Sequence, residues 1–217
     1  INLGYALGPA IGGILAANVG YDSLFIIDGI SCIMAGFILK LTLKRKTRTT
    51  QNKELQEDLP DEPGPLQNRD FVIFLIACTL CGIVFMQLFY TAPVYFKNNL
   101  NLNEDVIGVL LAMNAFIIAL IEMPIIHGLE NKFSPVNILT FGCALFGISY
   151  LFMAFGDHMI LAISYIIFIT FGEIFNFPYS NQLAMEISRK RRAQYLAFFA
   201  MSFSIAHIVA PSLGLYI

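Results

Sequence analysis

Seven stretches of the chain, at about 1–18, 21–43, 71–96, 104–127, 136–155, 158–182 and 195–217, are apolar over lengths close to the ~20 residues a helix needs to cross hydrocarbon. Repetition of that pattern leaves little freedom, because backbone polar groups in lipid must be paired within the protein. Composition agrees: 57% of residues are hydrophobic and 13% charged, and the mean hydropathy is +0.71, outside the range of soluble globular domains. The fold class is therefore an all-α polytopic membrane protein. The chain has no initiating Met, starts within one apolar stretch and stops within another, so it reads as a piece of a longer protein whose first and last helices are cut short.

Cations are distributed unevenly among the connections. Of the 13 Lys and Arg, only Lys97 falls in the turns around Gly20-Tyr21-Asp22, Lys97 to Asp105 and Gly156-Asp157-His158; the others flank the alternate turns. By the positive-inside rule those alternate turns face the cytoplasm, so the first helix runs outward and each successor reverses. Residues 44–70, KRKTRTTQNKELQEDLPDEPGPLQNRD, are too polar to bury a core and are expected to be a flexible cytoplasmic linker. It divides the chain into 1–43, with two helices, and 71–217, with five.

The first apolar stretch contains GYALGPAIGG. In water each Gly would cost a helix about 1 kcal/mol relative to Ala. In lipid, Gly4, Gly8, Gly12 and Ala16, spaced by four with Gly13 beside them, form a ridge that lets another backbone approach. Pro9 adds a bend and frees the carbonyl of Tyr5. A shift of 202 superposes Gly4, Gly8, Pro9 and Gly12 on Ala206, Ala210, Pro211 and Gly214 in AHIVAPSLGL. Such an internal repeat suggests two pseudo-symmetric bundles of six helices joined by the linker, with this chain carrying the fifth to eleventh helices.

The pattern Gly4-x-x-x-Gly8-Pro9-x-x-Gly12-Gly13 resembles the fifth-helix signature of major facilitator superfamily transporters, in the form associated with proton-coupled drug and metabolite exporters. The layout is similar too: a linker after helix six, short loops, and the basic turn Arg189 to Arg192 before helix eleven. Asn131-Lys132-Phe133-Ser134 resembles the family's cytoplasmic loop motif with its acidic residue replaced. The resemblance implies major facilitator-type helical bundles and secondary active transport by alternating access. It further implies a small-molecule substrate, protons as coupling ion, a multi-pass location in the cytoplasmic (inner) membrane, and no cofactor.

Carboxylates inside a bilayer cost roughly 2.5–3.5 kcal/mol each on insertion scales, which makes them functional candidates. Glu173 lies midway along its stretch on a polar stripe with Thr170, Asn176 and Ser180. It reads as a proton-binding or substrate-contacting acid, or else as a neutral carboxyl hydrogen-bonded for packing. Glu122, two residues before Pro124, is a second coupling candidate that could instead pair with a basic loop residue. His207 could relay protons or simply satisfy a packed helix, and Asp28 suits a structural or gate contact. Gln87, Tyr90 and Asn114 are candidate cavity residues with Asn176 and Ser180.

Other chemistry finds little support. Cys78-x-x-Cys81 has redox spacing but no His or second Cys pair nearby, so metal and disulfide roles are not expected. There is no phosphate-binding loop, His-Glu-x-x-His run or nucleophile elbow. The favoured reading is a non-enzymatic transporter exporting drug-like or amphipathic compounds, monomeric, without nucleic-acid partners. A peptide or nutrient symporter and a non-transporting receptor are the alternatives.

Overall fold

The computed structural model describes residues 2–42, 62–130, 132–187 and 190–214, and leaves the surroundings of side chains 2–7, 9 and 10 undescribed. The described residues form eight helices: α1 (Asn2–Asn18), α2 (Asp22–Thr42), α3 (Arg69–Tyr90), α4 (Ala92–Asn98), α5 (Glu104–Leu129), α6 (Pro135–Ala154), α7 (Met159–Glu186) and α8 (Arg192–Gly214). Six segments are long and apolar enough to cross a membrane: α2, the α3–α4 segment, and α5 to α8. The stretch 71–96, expected as one helix, is interrupted at Thr91. Pro93, in the first turn of α4, has no N–H to offer the preceding turn, and the break falls just before it. Pro124, Pro178 and Pro211 lie inside α5, α7 and α8 without ending them.

The main packed pairs are α6 with α7, α1 with α5, and α3 with α8; α7 also touches α3, α5 and α8. Small residues set the closest approaches, as expected where lipid removes the hydrophobic drive between helices. At Gly142 a Cβ would lie 3.1 Å from the Gly172 carbonyl oxygen and 3.2 Å from the Asn176 nitrogen, so α6 and α7 meet backbone to backbone. At Gly82 a Cβ would lie 3.0 Å from that of Ala206, joining α3 to α8. Tyrosines brace the interior: Tyr165 donates to the Tyr150 hydroxyl at 3.1 Å, and Tyr150 donates to the Val84 carbonyl at 2.6 Å, linking α7, α6 and α3.

The two copies of the small-residue pattern behave differently. On α8, Ala206 and Ala210 are fully buried. A Cβ at Gly214 would collide with Gln87 of α3 and with Thr91 just beyond its end. On α1 the described part of the ridge meets no close neighbour among the described residues: a Cβ at Gly8 would meet nothing within 4 Å, and one at Gly12 only Leu24 at 3.9 Å. The close contact is at Gly13, where a Cβ would stand 2.7 Å from the Glu104 carbonyl oxygen and 3.1 Å from Gly108 Cα. One residue is about 100° of helix rotation, so the face turned to α5 is not the one carrying Gly8 and Gly12. The surroundings of Gly4 and Pro9 lie outside the described residues.

The linker expected over 44–70 falls outside the described residues between 43 and 61, but its end is anchored. Asn68 caps α3 by accepting from the Phe71 N–H at 3.2 Å, and its amide donates to the Tyr195 hydroxyl at 3.4 Å. Tyr195 in turn donates to the Pro63 carbonyl at 3.1 Å and packs on Phe71 with ring centroids 4.4 Å apart. The start of α3 at Arg69 is thereby tied to the start of α8.

Replacing Gly82 by Leu forces a branched side chain against Ala206 and should destabilise the α3–α8 pair by about 1–3 kcal/mol. A lowered apparent unfolding midpoint of the purified protein in detergent checks this.

Candidate functional site

Polar groups gather along α7 where it meets α5 and α6. Asn114 on α5 is buried, as is Thr170 on α7. The Asn114 amide donates to Glu173 Oε2 and to Thr170 Oγ1, both at 3.0 Å. Thr170 itself donates to the Ile166 carbonyl one turn back. Glu173, half-buried, thus has a fixed donor on a second helix, an arrangement that orients a carboxyl group without supplying a countercharge. Glu122, eight residues beyond Asn114 on α5, is an electrostatic neighbour of Glu173 and is also half-buried. Asn114 and Glu173 therefore belong to one α5–α7 seam, with Glu122 farther along α5.

The lower part of the stripe turns toward α6. Asn176 and Ser180 are buried. Ser180 donates to the Asn176 carbonyl at 2.8 Å and to its side-chain oxygen at 3.2 Å. The Asn176 amide donates to Cys143 Sγ at 3.3 Å. The single stripe expected from sequence is thus shared between two partner helices, with Thr170 and Glu173 serving α5 and Asn176 serving α6.

Gln87, Tyr90 and His207 occupy a different seam, between α3 and α8. The Gln87 amide donates to the Ala210 carbonyl at 2.9 Å, and Thr91 donates its hydroxyl to the Gln87 side-chain oxygen. The Tyr90 hydroxyl and His207 Nδ1 lie 3.3 Å apart, their rings edge to face at 6.3 Å. Both residues are exposed. Gln87 thus ties α3 to α8, and His207 is engaged with Tyr90. Asp28 is exposed on α2, a helix that buries none of its residues.

A cluster that sequence reasoning missed joins α1 and α2 to α4 and α5. Glu104 Oε1 accepts from Lys97 Nζ at 2.6 Å and from the Tyr21 hydroxyl at 3.2 Å. These residues border an open cavity of about 460 Å³ that also includes Gly12, Gly13 and Gly108. Lys97 was already visible as the lone cation of its set of turns. A second, almost wholly apolar cavity of about 610 Å³ lies among α5, α6 and α7 and contains neither acid. Of the loop 131–134, Asn131 lies outside the described residues, and Lys132, Phe133 and Ser134 are exposed.

With seven apolar segments, a Gly-Pro helix and an intramembrane acid in place, comparison with known sequences decides the family. The sequence model of the Major Facilitator Superfamily matches residues 1–211. The chain belongs to the Major Facilitator Superfamily. Members of this superfamily are membrane transporters rather than enzymes, and the described part of the chain is accordingly all helical. Among curated proteins, a Na(+), Li(+), K(+)/H(+) antiporter of Planococcus maritimus is 26% identical over 239 aligned positions, covering 97% of this chain and 56% of that protein. Sugar efflux transporter A of Dickeya chrysanthemi is 27% identical over 121 positions, covering 53% of this chain and 28% of that protein. The chain thus spans about half the length of the first relative and less of the second.

Removing the Asn114 amide leaves both Thr170 and Glu173 without that donor. Asn114→Ala should therefore cost about 1–3 kcal/mol, against less than about 1 kcal/mol for Tyr90→Phe at the exposed α3–α8 edge. Apparent unfolding midpoints of the two variants, measured side by side, check the order.

Proposed function

We propose that this superfamily member is a proton-coupled exporter of the cytoplasmic membrane, and that Glu173 is the acid that takes up and releases the coupling proton. The observation that carries the reading is the hydrogen bond from buried Asn114 to Glu173 within membrane-spanning helices. A carboxyl group at that depth is costly to insert when charged, so protonation and substrate entry become alternative ways of satisfying it. Asn114 holds the carboxyl in one place in either state. Glu122 is the second candidate acid and lies on the cytoplasmic side of Glu173, given the orientation inferred from the basic turns.

In this reading residues 1–43 end one bundle, residues 44–70 link the two, and residues 71–217 form most of the other. The α1–α5 contact at Gly13 and Gly108 is then a contact between bundles that rock about a central site. The internal repeat also accounts for the open face of α1. Ala206, Ala210 and Gly214 pack on α3, so Gly4, Gly8 and Gly12 are expected to pack on the counterpart of α3 in the other bundle. Tyr21, Lys97 and Glu104 would close the outer end in the conformation seen.

Drug-like or amphipathic molecules are the substrate class favoured by the helix-five signature. Export of a monovalent cation in exchange for protons is a second reading, supported by the oxygen-donor set of Glu173, Glu122, Asn114 and Thr170 and by the antiporter relative. The intact transporter, reconstituted in liposomes with an internal pH dye and an imposed pH gradient, separates them. Lipophilic cations, sugars, and Na(+), Li(+) or K(+) salts are added in turn, and the compound that moves protons identifies the class. Glu173→Gln should abolish that proton movement while leaving folded protein in the membrane. Undiminished coupling in this variant would remove Glu173 from the mechanism.

A further inference from the structure

The buried polar cluster below Glu173 contains two thiols that neither the transport reading nor the resemblance uses. Cys81 on α3 and Cys143 on α6 are free and half-buried, and their sulfurs are 3.0 Å apart. A disulfide bond is about 2.05 Å long, so the sulfurs need to close by only about 1 Å. The rotamer of Cys143 is held by the Asn176 amide, which donates to its sulfur at 3.3 Å, and Asn176 is itself held by Ser180. Cys78, one turn before Cys81, is buried at 7% exposure, and Cys32 is exposed on α2. The Cys-x-x-Cys spacing on α3 is therefore not the relevant pair; the partner of Cys81 lies 62 residues away on another helix.

We infer that Cys81 and Cys143 form an oxidant-sensitive site that hydrogen peroxide, a small neutral two-electron oxidant, converts to a disulfide between α3 and α6. The Cys143 sulfur attacks one peroxide oxygen, the O–O bond breaks, and a sulfenic acid forms as the first water leaves. The Cys81 sulfur then attacks the Cys143 sulfur and displaces its hydroxyl as the second water. The two thiol protons leave in the two waters; the sulfur pair loses two electrons and the peroxide gains them. The bond ties α3 to α6 within the half of the molecule that carries Glu173, and it stands whether or not Glu173 couples protons.

The test uses the intact transporter in liposomes, exposed to hydrogen peroxide, quenched, denatured in N-ethylmaleimide and digested without reductant. Mass spectrometry should find the Cys81 and Cys143 peptides joined, two hydrogens lighter than their sum, and separated again by dithiothreitol. Cys78 should remain alkylated. The joined species should vanish in Cys81→Ser and in Cys143→Ser. Recovery of Cys81 and Cys143 both alkylated from treated wild-type protein would overturn the inference, and so would Cys78 pairing with Cys143 as readily as Cys81 does. Because the wild-type digest is decisive alone, poor folding of either variant does not blunt the test.

Discussion

The contact between Gly142 and Gly172 holds much of the molecule in place. With no side chain on either residue, α6 and α7 approach until the Gly172 carbonyl oxygen is 3.1 Å from where a Gly142 Cβ would be. Lipid supplies no hydrophobic drive between helices, so the tight fit itself, through dispersion contacts over the seam, is what holds such a pair together. Phe146 lies across Gly172, where any Cβ would strike its ring at 2.6 Å, and is itself buried. Each glycine is followed in sequence by a residue of chemical interest, Cys143 on one helix and Glu173 on the other. Close approach of the backbones thus sets where both groups stand.

From that seam the polar groups divide. Glu173 faces α5 and receives the Asn114 amide; Asn176 faces α6 and donates to Cys143. Each buried amide therefore has a partner on another helix, which matters because an unpaired polar group in a dry interior costs more than a hydrogen bond contributes. The same bonds that satisfy the amides also fix the acid and the thiol. Packing and chemistry share one set of contacts here, so a change at Asn114 acts on both stability and the placement of the acid.

The outer contacts have a different character. Lys97, Glu104 and Tyr21 meet where the side chains remain partly in solvent, and an exposed ion pair contributes on the order of 1 kcal/mol or less. In the alternating-access reading proposed above, an interaction that weak suits a junction that opens and closes. The α6–α7 glycine seam would, in that reading, lie inside one bundle and have no need to part.

Much of the architecture was legible in the sequence because a bilayer leaves few choices. Segment lengths announced the helices, their bounds fell within a few residues of those seen, and the Gly-Pro pattern pointed to the family that the chain proves to belong to. Glu173 stood out because a carboxylate is conspicuous among apolar residues. Rotation and partnership were not legible: nothing in the sequence placed Gln87, Tyr90 and His207 together on the α3–α8 seam, or the α1–α5 contact at Gly13. Cys143 and Gly142 carried no local signal at all. Composition and hydropathy are properties of each segment alone, so the sequence by itself determined which segments are long and apolar enough to enter a membrane and which acids lie within them. Which faces meet depends on side-chain shapes fitting between segments distant in the chain, and only the tertiary structure decided that Asn114 would hold Glu173 and that Cys81 would stand against Cys143.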